Sequence, residues 1–143
     1  MKSSDLLIII PAYNEEGSIQ SVVNNIIQNY SQYDYVIIND GSRDQTSEIC
    51  HNNGYNIIDL PVNLGLAGAF QTGLLYAYQY GYEKAVQFDA DGQHLPEYIA
   101  ALEEEIDKGN KMVIGSRFVT DKRPNSFRML GNTLIRSMIQ HLE

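Results

Sequence analysis

The sequence predicts an α/β protein with a mostly parallel sheet and helices on both of its faces. Three observations carry this. Short runs that are apolar throughout alternate along the chain with longer segments whose apolar residues recur every three to four positions. The short runs lack the every-second-residue pattern of half-solvated strands, so they read as strands covered on both sides. The 143 residues contain no internal repeat, low-complexity stretch or linker, and fall within the length of one domain, 1–143.

Each element has a local reason. "DLLIII" (5–10) is the first strand. Ile19, Val22, Val23, Ile26 and Ile27 follow at helical spacing, with Ser18 expected as the N-cap. "YVIIND" (35–40) is a second strand, Asp44–Asn53 a short helix stopped near Gly54, and "YNIIDL" (55–60) a third strand. Leu66–Tyr80 reads as a longer helix, with Ala67, Phe70, Leu74, Ala77 and Tyr78 toward a core and Gly81 at its end. "KAVQFD" (84–89) is a fourth strand, and Pro96–Lys108 a helix with proline at a favoured first position. "KMVIGS" (111–116) is a fifth strand, and Ser126–Leu142 a final amphipathic helix.

Composition narrows the function classes. A net charge of −8 argues against a nucleic-acid surface. The charge is uneven: residues 1–116 hold 5 Lys/Arg against 16 Asp/Glu, whereas residues 117–143 hold 5 against 2. A basic end on an acidic body suggests that this end meets something anionic. The single cysteine, Cys50, reads as a small core residue, and a cytoplasmic setting is expected. Histidines 51, 94 and 141 are too far apart in sequence to suggest zinc.

In open parallel sheets, ligands bind beyond the carboxyl ends of the strands. The residues there are Tyr13-Asn14-Glu15-Glu16, then Asn39-Asp40-Gly41-Ser42, Asn63 to Gly65, Asp89-Ala90-Asp91 and Ser116-Arg117. "PAYNEEG" stands where a dinucleotide fold would carry G-x-G-x-x-G, and no P-loop signature exists anywhere. Gly65, Gly68 and Gly73 match neither pattern; helix packing and a tight turn explain them better than phosphate cradling. So acidic a site repels phosphates: two unit charges about 4 Å apart interact by roughly 1 kcal/mol in water, and several-fold more in a partly dehydrated cleft. A hard divalent cation reverses that sign, and oxygen-only ligands suit Mg²⁺ or Mn²⁺. "QFDADGQHLP" places Asp89 and Asp91 where such an ion would sit, although Asp-Gly alone could simply mark a turn.

The segments "IIIPAYNEEGSI", "VIINDGSRDQT", "NLGLAGAFQTGLLYA", "QFDADGQHLPE" and "VIGSRF" occur in this order. Together they resemble the family 2 glycosyltransferases of GT-A fold. "DADGQHLPE" with "GSRF" most resembles the branch that transfers sugars to dolichyl or undecaprenyl phosphate. The resemblance implies that Pro11, Ala12, Tyr13, Asn14 and Glu15 wrap a nucleotide, Tyr13 lying against the base and Glu15 near the ribose. Asp40 would accept a base N–H, with Gly41, Asn63, Gly68 and Ala90 also near the nucleotide; an Asx-turn at Asp40-Gly41 is compatible with this. Asp44 is expected to cap the following helix. Asp89 and Asp91 match the metal motif, with Gln93 supplying a further oxygen, while His94 is expected to pack rather than ligate. Arg117, and Arg128 as a second, would meet an acceptor phosphate, which a guanidinium binds bidentately.

The implied reaction inverts the anomeric carbon in a single displacement, with a metal-bound diphosphate leaving. A polyprenyl phosphate acceptor needs no general base, because a phosphomonoester with a second pKa near 6 is largely ionised at pH 7. Two alternatives stand beside this. One is transfer to a hydroxyl of a growing polysaccharide or glycolipid, and the other is a nucleotide-binding module without transfer activity. Members of the resembled family usually continue past "GSRF", so the chain is expected to be the nucleotide-sugar half of a longer enzyme, possessing little transfer activity by itself. The basic, amphipathic C-terminal helix is expected to meet the inner face of a membrane or a second copy of the chain.

Overall fold

The computed structural model describes residues 2–91, 98–107 and 113–114. Among the described residues, five parallel strands form one sheet: β1 (Leu6–Ala12), β2 (Asp34–Asn39), β3 (Ile57–Asp59), β4 (Lys84–Gln87) and β5 (Val113–Ile114), in the order β3-β2-β1-β4-β5. Between them run α1 (Ile19–Asn29), α2 (Thr46–Asn52), α3 (Gly65–Gln79) and α4 (Tyr98–Asp107). Among the described residues, the expected strand–helix alternation is present from β1 to β5. The expected helix at 126–142, the rest of the fifth strand and the start of the 96–108 helix lie outside the described residues.

All seven residues of β1 are buried, as its unbroken apolar run requires of a central strand. Pleating sends alternate side chains to opposite faces. Leu6, Ile8, Ile10 and Ala12 join Val22, Val23, Ile26, Cys50 and Ile99, so α1, α2 and α4 cover that face. Leu7 and Ile9 join Phe70, Leu74 and Ala77, so α3 covers the other. Each fully buried Leu or Ile contributes about 1.5–3 kcal/mol of transfer free energy. Burial pushes the Cys50 thiol, with a smaller contribution from Asp59, up to about 11, as suits a core residue.

Two helices differ in detail from their apolar spacing. On α3 the buried stripe is Ala69, Phe70, Gly73, Leu74 and Ala77, while Ala67 is exposed and Tyr78 is 63% exposed. Each residue turns the helix by about 100°, so Tyr78 next to the inward Ala77 leaves the buried arc. A β-carbon on Gly73 would lie 3.0 Å from Ile9 Cδ1 and Cγ1 and closer still to Cγ2, which fixes glycine where α3 presses on β1. On α1, Ile27 falls outside the buried set Ile19, Val22, Val23 and Ile26 and is 43% exposed.

The strand order reverses direction between β1 and β4, and the register there opens a gap. β1 pairs with β2 as far as Ala12↔Asn39, and Asp40 N–H donates to the Ala12 carbonyl (2.8 Å). β1 pairs with β4 only to Ile9↔Gln87, where Phe88 N–H donates to the Ile9 carbonyl (2.8 Å). The two central strands therefore part three residues earlier on the β4 side. The carboxyl-end crevice at such a switch point is where ligands bind in open α/β sheets.

Candidate active site

The loop after β1 is the hub of this crevice. Asn14 adopts a left-handed backbone (φ 53°), a conformation asparagine tolerates better than most residues. Its N–H donates to Ser42 Oγ (2.9 Å) and its Oδ1 accepts the Arg43 N–H (2.8 Å). Glu15 N–H donates to Thr46 Oγ1 (2.9 Å), Glu16 N–H to Asp44 Oδ2 (3.2 Å), and Gln45 N–H to Glu16 Oε2 (3.1 Å). Loop β1–α1 and loop β2–α2 are thus laced into one wall. Tyr13 stands 44% exposed on it, over the buried Pro11 and Ala12.

Asp40 anchors the same wall from below. It is 3% exposed, and its Oδ1 accepts the Leu64 N–H (2.7 Å). Its backbone carbonyl accepts Asn63 Nδ2 (3.1 Å), and Asn63 Oδ1 accepts the Gly65 N–H (3.1 Å). Gly41 makes this approach possible: its φ is +69°, and a β-carbon there would lie 2.6 Å from Asn63 N. The Asx-turn reading of Asp40-Gly41 gives way to a longer-range one, since the carboxylate reaches the turn before α3. A β-carbon on Gly68 would meet the Leu64 side chain at 2.6 Å, so packing against that same turn accounts for this glycine.

Asp44 does cap, one residue before the N-cap position of α2. Its Oδ1 accepts from Thr46 N (2.9 Å) and Thr46 Oγ1 (2.5 Å). Burial raises its pKa, but these bonds and the Glu16 N–H outweigh that and hold the carboxyl below its ordinary 3.8. Ser18 behaves differently from expectation. It sits at the N-cap of α1, yet its ψ of −25° departs from the extended geometry that aims a side chain back at the helix, and it makes no cap bond. Its Oγ lies instead 2.5 Å from the Ala90 carbonyl and 3.0 Å from Glu15 Oε2.

Across the gap, Asp89 is half-buried with Oδ1 accepting from Gln87 Nε2 (3.1 Å), Ala90 is buried, and Asp91 is exposed. Gln93, His94, Arg117 and Arg128 lie outside the described residues. Among the described residues, no three His, Cys, Asp or Glu side chains group closely enough to hold a metal ion. Among the described residues, the side-chain donors at this strand exit are the two carboxylates. That set fits Mg²⁺ or Mn²⁺, which are held by one or two carboxylates together with substrate phosphates and water.

Sequence reasoning placed Ser42 at a strand exit without giving it a role, and missed Thr46 and the partner of Ser18. Thr46 is fully buried although polar, and a buried hydroxyl must find partners. The available signal was the Asp44-x-Thr46 pair, a local hydroxyl–carboxylate turn. A separate cavity of about 350 Å³ opens at the opposite, amino edge of the sheet, among Tyr33, Asp34, Tyr35, Asn56, Tyr76 and Tyr82. Its polar groups largely bond one another: Tyr82 Oη donates to Asp34 Oδ2 (2.7 Å) and Asn56 Nδ2 to Tyr76 Oη (3.1 Å).

Residues 7–142 match the profile of glycosyl transferase family 2. The chain belongs to this family. Among curated relatives, it is 39% identical over 141 residues to a UDP-N-acetylglucosamine–dolichyl-phosphate N-acetylglucosaminyltransferase of Methanococcus voltae, covering 86% of this chain and 55% of the relative. It is 30% identical over 119 residues to a polyprenol monophosphomannose synthase of Mycolicibacterium smegmatis, covering 79% of this chain and 45% of the relative. The chain thus spans about half the length of the curated relatives it matches. Among solved structures, glucosyl-3-phosphoglycerate synthase of Mycobacterium tuberculosis, crystallised with Mn²⁺ and UDP-glucose, superposes with a TM-score of 0.60 at 23% identity. That likeness covers 73% of this chain and 39% of the other, and it establishes the GT-A fold. Among the described residues, no helix is long and apolar enough to cross a membrane.

Proposed function

We propose that the chain is the nucleotide-sugar-binding part of an inverting glycosyltransferase whose acceptor is a polyprenyl phosphate. The observation that carries this is the two-walled crevice at the β1/β4 switch point, with the buried Asp40 on one wall and the Asp89–Asp91 pair on the other. The named activities of the family relatives, on dolichyl phosphate and polyprenol phosphate, support the acceptor.

In this reading Tyr13 offers an exposed ring face to the base, and Asp40 offers its second carboxylate oxygen to a base N–H. A carboxylate suits this because it only accepts. Asn14 has spent its amide oxygen on Arg43, leaving its NH₂ for the ligand. Glu15, half-buried beside Ser18, is placed to accept from a ribose hydroxyl. Asp89 and Asp91, with Gln93, would hold Mg²⁺ or Mn²⁺, which when bound supplies Lewis-acid neutralisation of the leaving diphosphate. Arg117 and Arg128 would orient the acceptor phosphate, whose ionised oxygen attacks the anomeric carbon without a protein base. The amphipathic 126–142 segment would bring the site to the membrane surface where such acceptors reside.

Two measurements test the reading. Titration calorimetry with UDP and GDP should give binding in Mn²⁺ and loss of it in EDTA; equal affinity in both would remove the metal role. The enzyme carrying this chain should transfer sugar to a short-chain polyprenyl phosphate. Preference for a free sugar hydroxyl would move it to the polysaccharide-synthase reading.

A further inference from the structure

The bond between Ser18 and the Ala90 carbonyl spans the gap where β1 and β4 part. Ser18 opens α1, on the wall shared with the Asn14 and Glu15 loop, while Ala90 is the residue between the two acids. At 2.5 Å the contact is at the short end of O–H···O hydrogen bonds. It reaches across 72 positions in sequence and fixes the main chain between Asp89 and Asp91 rather than either carboxylate. The same hydroxyl lies 3.0 Å from Glu15 Oε2, so Ser18 Oγ stands between an acceptor on each wall, the Ala90 carbonyl being the nearer. The helix does not need this hydroxyl, because Ser18 caps none of its own N–H groups.

We propose that Ser18 is a positioning residue that sets the Asp89-Ala90-Asp91 backbone for the metal–diphosphate and couples metal binding to the nucleotide wall. The proposal rests on the reading of the site as a metal-dependent nucleotide-sugar crevice. Replacing the hydroxyl removes this tie on the Ala90 carbonyl, so the spacing at which the two carboxylates meet an ion is less closely set. The base contacts on the β1–β2 wall are held by other bonds, through Asn14 and Asp40, and the Glu15 backbone stays tied to Thr46, so nucleoside binding persists.

The test compares Ser18→Ala and Ser18→Thr with the unsubstituted chain. Each is titrated with UDP and GDP in Mn²⁺, and with the corresponding nucleosides, uridine and guanosine, in EDTA. Mn²⁺ occupancy is followed by electron paramagnetic resonance. Ser18→Ala should weaken Mn²⁺-dependent diphosphate binding by about tenfold, the effect of one hydrogen bond, and alter the Mn²⁺ spectrum. Nucleoside binding in EDTA should stay within about twofold, and Ser18→Thr should restore the diphosphate affinity. Equal loss for nucleoside and diphosphate, or no loss at all while the unsubstituted chain binds in a metal-dependent way, would overturn the positioning role alone. Metal-independent diphosphate binding by the unsubstituted chain would instead remove the reading on which it rests.

Discussion

The two walls of the crevice are made on opposite plans. On the β2 side the ladder runs on to Ala12 and Asp40, and the backbone N–H groups of residues 14–16, 43 and 45 end on side-chain oxygens of the facing loop. Asp40 is buried there with Leu64 N–H already on one oxygen. On the β4 side the ladder stops at Ile9, and the acids beyond it are half-buried and exposed. The first wall is set before any ligand arrives, so recognition of a base need not order it. The second wall collects negative charge at the surface, which becomes favourable only when a cation and a diphosphate share it.

That contrast can be broken at either wall. The largest effect is expected on the open side: Asp91→Ala should lower sugar transfer by on the order of 10³-fold, through loss of metal stabilisation of the leaving group. Steady-state rates within twofold of the parent enzyme would place the ion elsewhere. Next comes the preset wall. Gly41→Ala combines a left-handed φ with a β-carbon 2.6 Å from Asn63 N and 2.8 Å from Val62 C. It should destabilise the fold by about 3 kcal/mol, read from urea unfolding. Gly17→Ala, with nothing within 4 Å, is the matched control and should stay within about 0.5 kcal/mol.

Asp40→Asn keeps an acceptor for Leu64 but replaces the other oxygen with a donor. Nucleoside diphosphate binding should fall by about 30-fold, roughly 2 kcal/mol, with the ratio of affinities in Mn²⁺ and EDTA unchanged. A changed ratio would mean that the two walls are not separable in this way.

The smallest effect is on acid stability. Burial raises the pKa of Asp34, but bonds from Ser3, Tyr82 and Ser4 outweigh it and hold the carboxyl below 3.8. Burial also raises Asp59, and bonds from Asn39, His51 and Ser47 likewise bring it lower. With Asp44 these groups have folded pKa values under their unfolded ones. Their contribution is full above about pH 4 and is lost as pH falls through the folded values. Unfolding free energy should therefore drop below about pH 4, and Asp34→Asn should flatten that slope. A slope unchanged by the substitution would assign the acid sensitivity to other carboxylates.

The order of strands and helices was legible in the chain because it follows from short-range periodicity. The five-residue apolar run Leu6–Ile10, too short for a helix, fits a strand covered on both faces, and Ile19, Val22, Val23 and Ile26 share one face of a helix. The exits carrying Tyr13–Glu15, Asp40 and Asp89–Asp91 were legible for the same reason, since polar residues that end an apolar strand lie at the sheet edge. Boundaries and helix faces were less so. Tyr78 is as apolar in pattern as Ala77, and the packing of Ala69, Phe70, Gly73 and Leu74 on the sheet puts Ala77 inward and Tyr78 outward.

What tertiary structure decided are the pairings between distant residues. Asp40 meets Leu64 across 24 positions, Asn14 meets Ser42 across 28, and Ser18 meets Ala90 across 72. Serine at the head of an apolar helical run reads as a cap by local rules, and nothing local says that its hydroxyl turns away. The elements and the acids at their ends follow from local residue patterns, because those depend on neighbours three or four residues away. The sheet order decided which loops face each other, and the earlier parting of β1 from β4 decided where the gap lies, because a hydrogen bond is formed by whichever groups the packed strands bring within 3 Å.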